Sequence, residues 1–192
     1  MQGSHEAAGQ GVPTGWAAED VWLLPGWQNS DAGHWQSLWQ DQFGYQRLEQ
    51  HNWQHPLRGD WSIQLQELVL DAPRPVTLVA HSLGCVLVAW WAAHSQVAKA
   101  KVRGALLVAP GDTEQDSLRA VLPGWAPVLL QTLPFPSILV GSENDPNCTL
   151  QRAQAMANAW GSRFVNTGAA GHINTASGLG QWDAGQALLL SL

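Results

Sequence analysis

The sequence predicts an α/β protein, a three-layer α/β/α sandwich with a mostly parallel sheet. Short apolar runs typical of buried strands alternate along the chain with segments typical of helices. The strongest of these runs, GALLVA at 104–109, is continuously apolar, as expected of a strand covered on both faces. Because parallel neighbours need crossover connections, the intervening helices are expected on both faces of the sheet.

The predicted elements follow one another from residue 21 onward. Strands are expected at 21–25, 45–53, 76–79, 104–109, 136–140 and 163–166. Helices are expected at 33–42, from a cap at Asp60 to Asp71, at 83–93, from a cap at Thr149 to Trp160, and at 181–190. Prolines and a glycine interrupt residues 117–133, which indicates an irregular connection that could overhang a site.

The length of 192 residues fits one domain, expected to span 21–192. Residues 1–20 are rich in small residues, lack the features of a signal peptide and are interpreted as a flexible leader. The formal net charge of -6 disfavours nucleic acid and anionic membranes as partners. No stretch reaches the roughly 20 apolar residues of a membrane span.

The two cysteines are too few for a disulfide framework, so a reducing, cytoplasmic location is favoured. Cys85 is expected to pack inside a helix, whereas Cys148, in a polar loop, is expected to be the more accessible thiol. The sequence contains no His/Cys/carboxylate ligand set and no G-x-G-x-x-G phosphate loop, so neither a metal nor a cofactor is expected. The oligomeric state is left open.

Ser82 lies where the apolar strand 76–79 meets an apolar helix. A turn at that place must be sharp, and the residues two before and two after the serine are small, Ala80 and Gly84. This is the pattern of a nucleophile elbow with alanine in place of its first glycine. Such an elbow raises the hydroxyl above the sheet, beside free N–H groups at the helix start. Taken alone, the motif fits an ordinary serine N-cap equally well.

Two further residues complete a candidate catalytic set. A serine hydroxyl needs a histidine to accept its proton and a carboxylate to hold that histidine's tautomer. Asp145 and His172 each follow a predicted strand, and Ser, Asp, His is the chain order of α/β-hydrolases. Asp112 also follows an apolar strand and is the rival acid. Asp145 is favoured because its strand directly precedes the strand that leads to His172, and Pro146 stiffens its loop.

Candidate pocket residues flank the same strand ends. Trp27, Asn29 and His34 lie in the loop after the first strand, where open α/β sheets bind ligands, although a tight structural turn explains that loop equally well. His81 precedes the serine, and alternation points it away from Ser82, which indicates a supporting or pocket role. Ile173, after the histidine, is a further pocket candidate.

Four segments carry a resemblance to a known family: PGWQNSDAGHWQSLW at 25–39, VAHSLGC at 79–85, LPFPSILVGSENDP at 133–146 and GAAGHINTASGLGQW at 168–182. Together they resemble the small serine hydrolases of the retinoblastoma-binding protein 9 and YdeN family, a short branch of the α/β-hydrolases. The resemblance implies a compact fold without a large cap domain. No L-x-C-x-E segment occurs here, since the helix starts LGCVL, so binding to retinoblastoma-type partners is not carried over.

The resemblance also implies roles for individual residues. Ser82 would be the nucleophile, Asp145 the acid and His172 the base, with oxyanion donors from the Leu83 N–H and the loop at Trp27. The predicted function is therefore an esterase-type serine hydrolase that cleaves a small-molecule acyl ester through an acyl-enzyme. An amidase or thioesterase would use the same residues. A non-catalytic interaction protein on the same fold is the third alternative, against which an intact triad argues.

Overall fold

The computed structural model describes residues 16–192. Its sheet has six strands in the spatial order β2-β1-β3-β4-β5-β6, and every neighbouring pair is parallel, as predicted. The strands are β1 (Val21–Leu24), β2 (Gln46–Arg47), β3 (Val76–His81), β4 (Val102–Val108), β5 (Ser137–Gly141) and β6 (Arg163–Asn166).

Helices cover both faces of this sheet. They are α1 (Trp35–Phe43), α2 (Arg58–Asp71), α3 (Leu83–His94), α4 (Ala98–Lys101), α5 (Asp116–Val121), α6 (Leu150–Trp160) and α7 (Asp183–Leu189). Buried residues of α1 and α7 pack in one apolar cluster, and those of α2, α3 and α6 pack in the other. The predicted three-layer α/β/α sandwich is therefore confirmed.

The two apolar clusters explain why the central strands are apolar at most positions. In β3, Leu78 and Ala80 belong to one cluster while Val79 belongs to the other. Successive side chains of a strand point to opposite faces, so a strand covered on both sides needs an apolar residue at every position. Burial of these side chains is the main stabilising contribution to the fold.

The second strand is much shorter than the predicted 45–53. Only Gln46 and Arg47 pair with β1, at the edge of the sheet. Beyond them the chain turns away, and Trp53 packs edge-to-face on Trp61 of α2 with ring centroids 5.4 Å apart. The partly buried side chain of Trp53 thus packs on a helix rather than in a strand pair, which the partial alternation in the sequence did not indicate.

The helix caps were predicted with mixed success. Thr149 caps α6 as expected, since its hydroxyl oxygen accepts from the backbone N–H of Arg152. The prediction that Asp60 caps α2 is wrong, because the helix begins two residues earlier, at Arg58. Asp60 instead lies in the first turn, where a carboxylate is favoured by the helix dipole.

The predicted leader, residues 1–20, falls mostly on residues 1–15, which lie outside the described residues. Within the described part, residues 18–20 form a short 3-10 helix. The buried carboxylate of Asp20 accepts from Arg74 Nε at 2.9 and 3.0 Å, which ties this helix to the segment before β3. In residues 16–192, no helix is both long and apolar enough to cross a bilayer.

The strand order places a crevice between β1 and β3. These strands are neighbours, with Leu24 opposite Ala80, yet the helices that follow them pack on opposite faces, α1 on one and α3 on the other. The loops leaving the two carboxyl ends therefore diverge. Such a switch point is where open α/β sheets bind ligands, and Ser82 lies directly at it.

Candidate active site

Ser82 occupies a sharp turn between β3 and α3. Its backbone angles, φ 54° and ψ -118°, lie in a region that a non-glycine residue rarely adopts. The turn is tight enough that a Cβ at Gly84 would overlap the carbonyl oxygen of Leu24. Ala80 is accommodated two residues before the serine because its methyl group is buried in an apolar cluster. The backbone therefore has the strained geometry of a nucleophile elbow.

The structure brings together the three side chains predicted to act as a triad. His172 Nε2 lies 2.8 Å from Ser82 Oγ, and His172 Nδ1 lies 2.9 Å from both carboxylate oxygens of Asp145. The Asp145 side chain is only 2% exposed and that of His172 is 10% exposed. The backbone N–H of Asn147 also donates to Asp145 Oδ1 at 2.8 Å, which orients the carboxylate.

These contacts determine the tautomer of His172. An ionised carboxylate can only accept hydrogen bonds, so the Nδ1 atom facing Asp145 carries the proton. The lone pair of Nε2 then faces Ser82 Oγ and accepts from its hydroxyl. A histidine in this state is placed to remove the serine proton.

Asp112, the rival acid, is placed differently. Its carboxylate lies 3.4 Å from Arg152 Nε and accepts from the backbone N–H of Glu114. It makes no contact with His172, which approaches Asp145 because β5 and β6 are neighbours and their following loops meet. The structure therefore pairs His172 with Asp145 and Asp112 with Arg152.

The two predicted oxyanion donors lie on either side of Ser82. Gly26 packs so closely on the elbow that a Cβ there would be 2.8 Å from Ser82 Cβ and 3.2 Å from the Leu83 nitrogen. The next residue, Trp27, has a backbone N–H with no acceptor among residues 16–192. The first N–H groups of a helix also lack intrahelical acceptors, so the Leu83 N–H is available at the start of α3.

A cavity of about 830 Å³ opens above Ser82. Asn29, His34 and His81, the predicted pocket residues, line it together with Trp27. Ile173 does not, and its assignment to the pocket is wrong: the side chain is fully buried in the apolar cluster beneath α1 and α7. The isoleucine follows the histidine in sequence, but its apolar side chain is directed into the core.

Several cavity residues were not identified from the sequence. They are Gln28, Ser30, Asp31, Gly111, Thr113, Leu118, Leu122, Asn147, Asn174, Thr175 and Ala176. Leu118 and Leu122 belong to the 117–133 connection, which therefore forms part of the cavity wall, and α5 covers the start of this connection. The others stand after β1, β4, β5 and β6. Those after β1 and β6 lie inside the segments 25–39 and 168–182 that carry the family resemblance. Those after β4 and β5 lie outside any such segment, and only their position at the carboxyl edge of a parallel sheet could have indicated them.

Two histidines in the cavity wall are buried and neutral. The His34 side chain caps α1, with Nδ1 accepting from the backbone N–H of Gln36 at 3.1 Å. Burial lowers the pKa of His34 to about 4. Burial likewise lowers the pKa of His81 well below its usual range. Their rings lie edge-to-face with centroids 4.7 Å apart, and the His81 ring lies 4.9 Å from that of His172.

Both cysteines are free and buried. Cys85 packs within α3 as expected. The prediction that Cys148 is the accessible thiol is wrong, because its side chain packs in the same apolar cluster at 2% exposure. Burial raises the pKa of Cys148 to about 12, so neither thiol is placed for nucleophilic chemistry. Among residues 16–192, no three His, Cys, Asp or Glu side chains are grouped to hold a metal ion.

Comparison with known proteins gave one family match, to the model described as serine hydrolase, over residues 21–191. Among solved structures, a protein from Pectobacterium atrosepticum described as a YdeN-like hydrolase is 31% identical, with 89% of this chain and 88% of that chain covered at a TM-score of 0.78. The ydeN gene product of B. subtilis is 19% identical over 90% and 98% of the two chains, with a TM-score of 0.67.

An esterase from a Rhodococcus species, RhEst1, is 13% identical over 89% of this chain and 90% of that one, with a TM-score of 0.60. At that identity the likeness shows the fold alone. The comparison with curated proteins found no significant match.

Proposed function

The chain belongs to the serine hydrolase family, and we propose that it hydrolyses small-molecule acyl esters through an acyl-enzyme formed on Ser82. The observation that carries this proposal is the continuous hydrogen-bonded series from Ser82 Oγ through the His172 ring to the Asp145 carboxylate. Ser82, Asp145 and His172 follow the carboxyl ends of the parallel strands β3, β5 and β6, and Ser82 and His172 line the cavity.

The first half of the reaction forms the acyl-enzyme. As Ser82 Oγ attacks the acyl carbonyl, His172 Nε2 takes the hydroxyl proton, and the carbonyl oxygen becomes an oxyanion. The N–H groups of Leu83 and Trp27 are proposed to stabilise that charge, because both lie close to the serine and neither has an acceptor within residues 16–192. The bond to the leaving oxygen then breaks, and that oxygen receives the proton from His172.

The second half releases the acid. A water molecule gives its proton to His172 Nε2 and attacks the acyl carbon, and the proton returns to Ser82 Oγ as the ester bond to the enzyme breaks. Throughout, Asp145 holds Nδ1 protonated and stabilises the imidazolium that forms in each half-reaction. No proton needs to move onto the carboxylate.

An ester is proposed over an amide or thioester, which the same residues could cleave. One structural neighbour is named an esterase, and another, Est1E from Butyrivibrio proteoclasticus, is described with ferulic acid bound. The cavity wall combines apolar side chains, such as Leu118 and Leu122, with amides, hydroxyls and one acidic side chain, that of Asp31. This lining suits a small acyl group with polar substituents. The two free thiols suit a reducing, cytoplasmic location, which is part of the same proposal.

Labelling with a serine-directed fluorophosphonate tests this function. The wild-type protein should incorporate one label at Ser82, and Ser82→Ala should lose both the label and about 10⁴-fold or more of its ester turnover. Ser95→Ala is the matched control, because that serine lies at the end of α3, where its hydroxyl donates to Gln66. Undiminished labelling of Ser82→Ala would refute the proposal, and an unlabelled wild-type protein would favour a non-catalytic role.

A further inference from the structure

Two consecutive backbone carbonyls in the segment that carries His172 are held by buried side chains. The His172 carbonyl oxygen lies 2.9 Å from Nε2 of His81, at the end of β3. The Ile173 carbonyl oxygen accepts from the indole Nε1 of Trp35, on α1, at 2.8 Å. His81 and Trp35 are 5% and 1% exposed, and their rings are nearly perpendicular with centroids 6.1 Å apart. Together they form a two-point contact on this segment.

The segment needs such support because its backbone is strained. Ile173 has φ 48°, a left-handed conformation that a β-branched residue rarely adopts. Strained residues persist only where the surrounding structure holds them, and they cluster at functional sites. The fully buried Ile173 side chain anchors one side of this segment in the core. The hydrogen bonds to the carbonyls of His172 and Ile173 hold the backbone of this segment.

The protonation of His81 follows from its partner. A carbonyl oxygen can only accept, so the Nε2 atom of His81 carries the proton and donates it to His172. Burial keeps the ring neutral, and the titratable groups that face it are His34 and His172. No contact between the His81 ring and Ser82 Oγ exists in the described structure, so His81 does not take part in proton transfer itself.

We propose that His81 is a positioning residue, which sets the distance between nucleophile and base by holding the main chain of His172. His81 and Ser82 are covalent neighbours on one turn. A hydrogen bond from His81 to the His172 carbonyl therefore links the base to the same short stretch of backbone that carries the nucleophile. Trp35 provides the second contact on the next carbonyl. This inference rests on the proposed roles of Ser82 and His172.

The test compares two substitutions at position 81. His81→Leu removes the donor but keeps a side chain of similar bulk, whereas His81→Gln retains an N–H near the position of Nε2. Because displacement of a catalytic group by about 1 Å can cost about 100-fold in rate, His81→Leu should lower kcat by about 10- to 100-fold. KM should change less than kcat, since His81 is only one of the side chains that line the cavity, and His81→Gln should recover most of kcat.

A remote histidine provides the control. His94, exposed at the end of α3, also contacts a carbonyl, that of Trp90, with Nδ1 at 2.8 Å. His94→Leu therefore removes an imidazole–carbonyl contact far from the site and should leave kcat unchanged. Trp35→Phe removes the second donor while keeping an aromatic ring, and it should lower kcat in the same way. This variant provides the test if His81→Leu does not fold.

The outcomes separate this inference from the proposed function. If Ser82→Ala is inactive but His81→Leu or Trp35→Phe keeps wild-type kcat per folded molecule, the positioning role is overturned and the serine mechanism stands. A lowered thermal midpoint with unchanged kcat would equally overturn it, since a purely structural side chain gives that result. Equal kcat values for His81→Leu and His81→Gln would show that the hydrogen bond from position 81 does not determine kcat, and would also overturn the positioning role. Activity retained by Ser82→Ala would instead overturn the proposed serine hydrolase mechanism on which this inference rests.

Discussion

The buried imidazole of His34 predicts a specific loss of stability in mild acid. In the folded protein its pKa is about 4, against an ordinary value of 6.5, and burial is the main cause. Asp31 opposes this shift, while Arg47 and His172 add to it. Between these two pKa values the unfolded chain binds a proton that the folded protein does not. The free energy of unfolding therefore falls as the pH drops from about 6.5 towards about 4.

The size of the effect follows from the two pKa values. Linkage between pH 7 and pH 5 gives a loss of about 2 kcal/mol from this one group. If the free energy of unfolding falls by about 2 kcal/mol per M urea, the urea concentration at the unfolding midpoint should be about 1 M lower at pH 5 than at pH 7. Other groups titrate over the same range, His81 among them, so the wild-type change alone does not isolate His34.

The substitution His34→Asn separates the contribution of His34 from those of the other titrating groups. Asparagine is as good an N-cap as any residue and can still accept from the Gln36 N–H, but it does not titrate. Urea unfolding followed by tryptophan fluorescence at pH 7 and pH 5 should show the variant losing about 2 kcal/mol less than the wild type. His55→Asn, which removes an exposed histidine, should behave like the wild type. Equal pH dependence in wild type and His34→Asn would refute the reasoning.

Two further substitutions test the site and the elbow. Asp145→Asn should keep the fold but lower kcat by about 10⁴-fold, because the amide stabilises the wrong tautomer of His172. Asp112→Asn should lower kcat far less, and the reverse ranking on one ester substrate would contradict the assignment. Gly84→Ala should lower the thermal midpoint sharply, since its methyl group would overlap the Leu24 carbonyl. Gly59→Ala, in α2 with open space around it, should be neutral or slightly stabilising. Similar midpoints for the two variants would contradict the tight packing at the elbow.

The local features of the site were predictable because short stretches of sequence determine them. A strand that runs into a helix through Ala80, Ser82 and Gly84 leaves little choice for the turn between them. The alternation of apolar strands and helices likewise predicted the parallel sheet and its three layers. The choice of Asp145 over Asp112 needed one assumption about neighbouring strands, and the order of β4, β5 and β6 satisfies it.

Burial was harder to predict. Cys148 stands in a polar stretch and was expected to be the more accessible thiol, yet its side chain is buried in the apolar cluster that also holds the buried residues of α6. Ile173 was expected in the cavity, but the left-handed backbone at that residue turns its side chain into the core. Both errors concern the direction of one side chain in a loop, where no periodicity indicates which way it points.

The sequence by itself determined the order of strands and helices and the residue types available at the strand ends, because hydrophobic period and turn chemistry act over a few neighbouring residues. Only the tertiary structure decided which of those residues meet. The contacts of His172 with Ser82 and Asp145 span 90 and 27 residues, and the contact of His81 with the His172 carbonyl spans 91. Contacts over such separations depend on strand order and on how the loops pack, and no short segment encodes either.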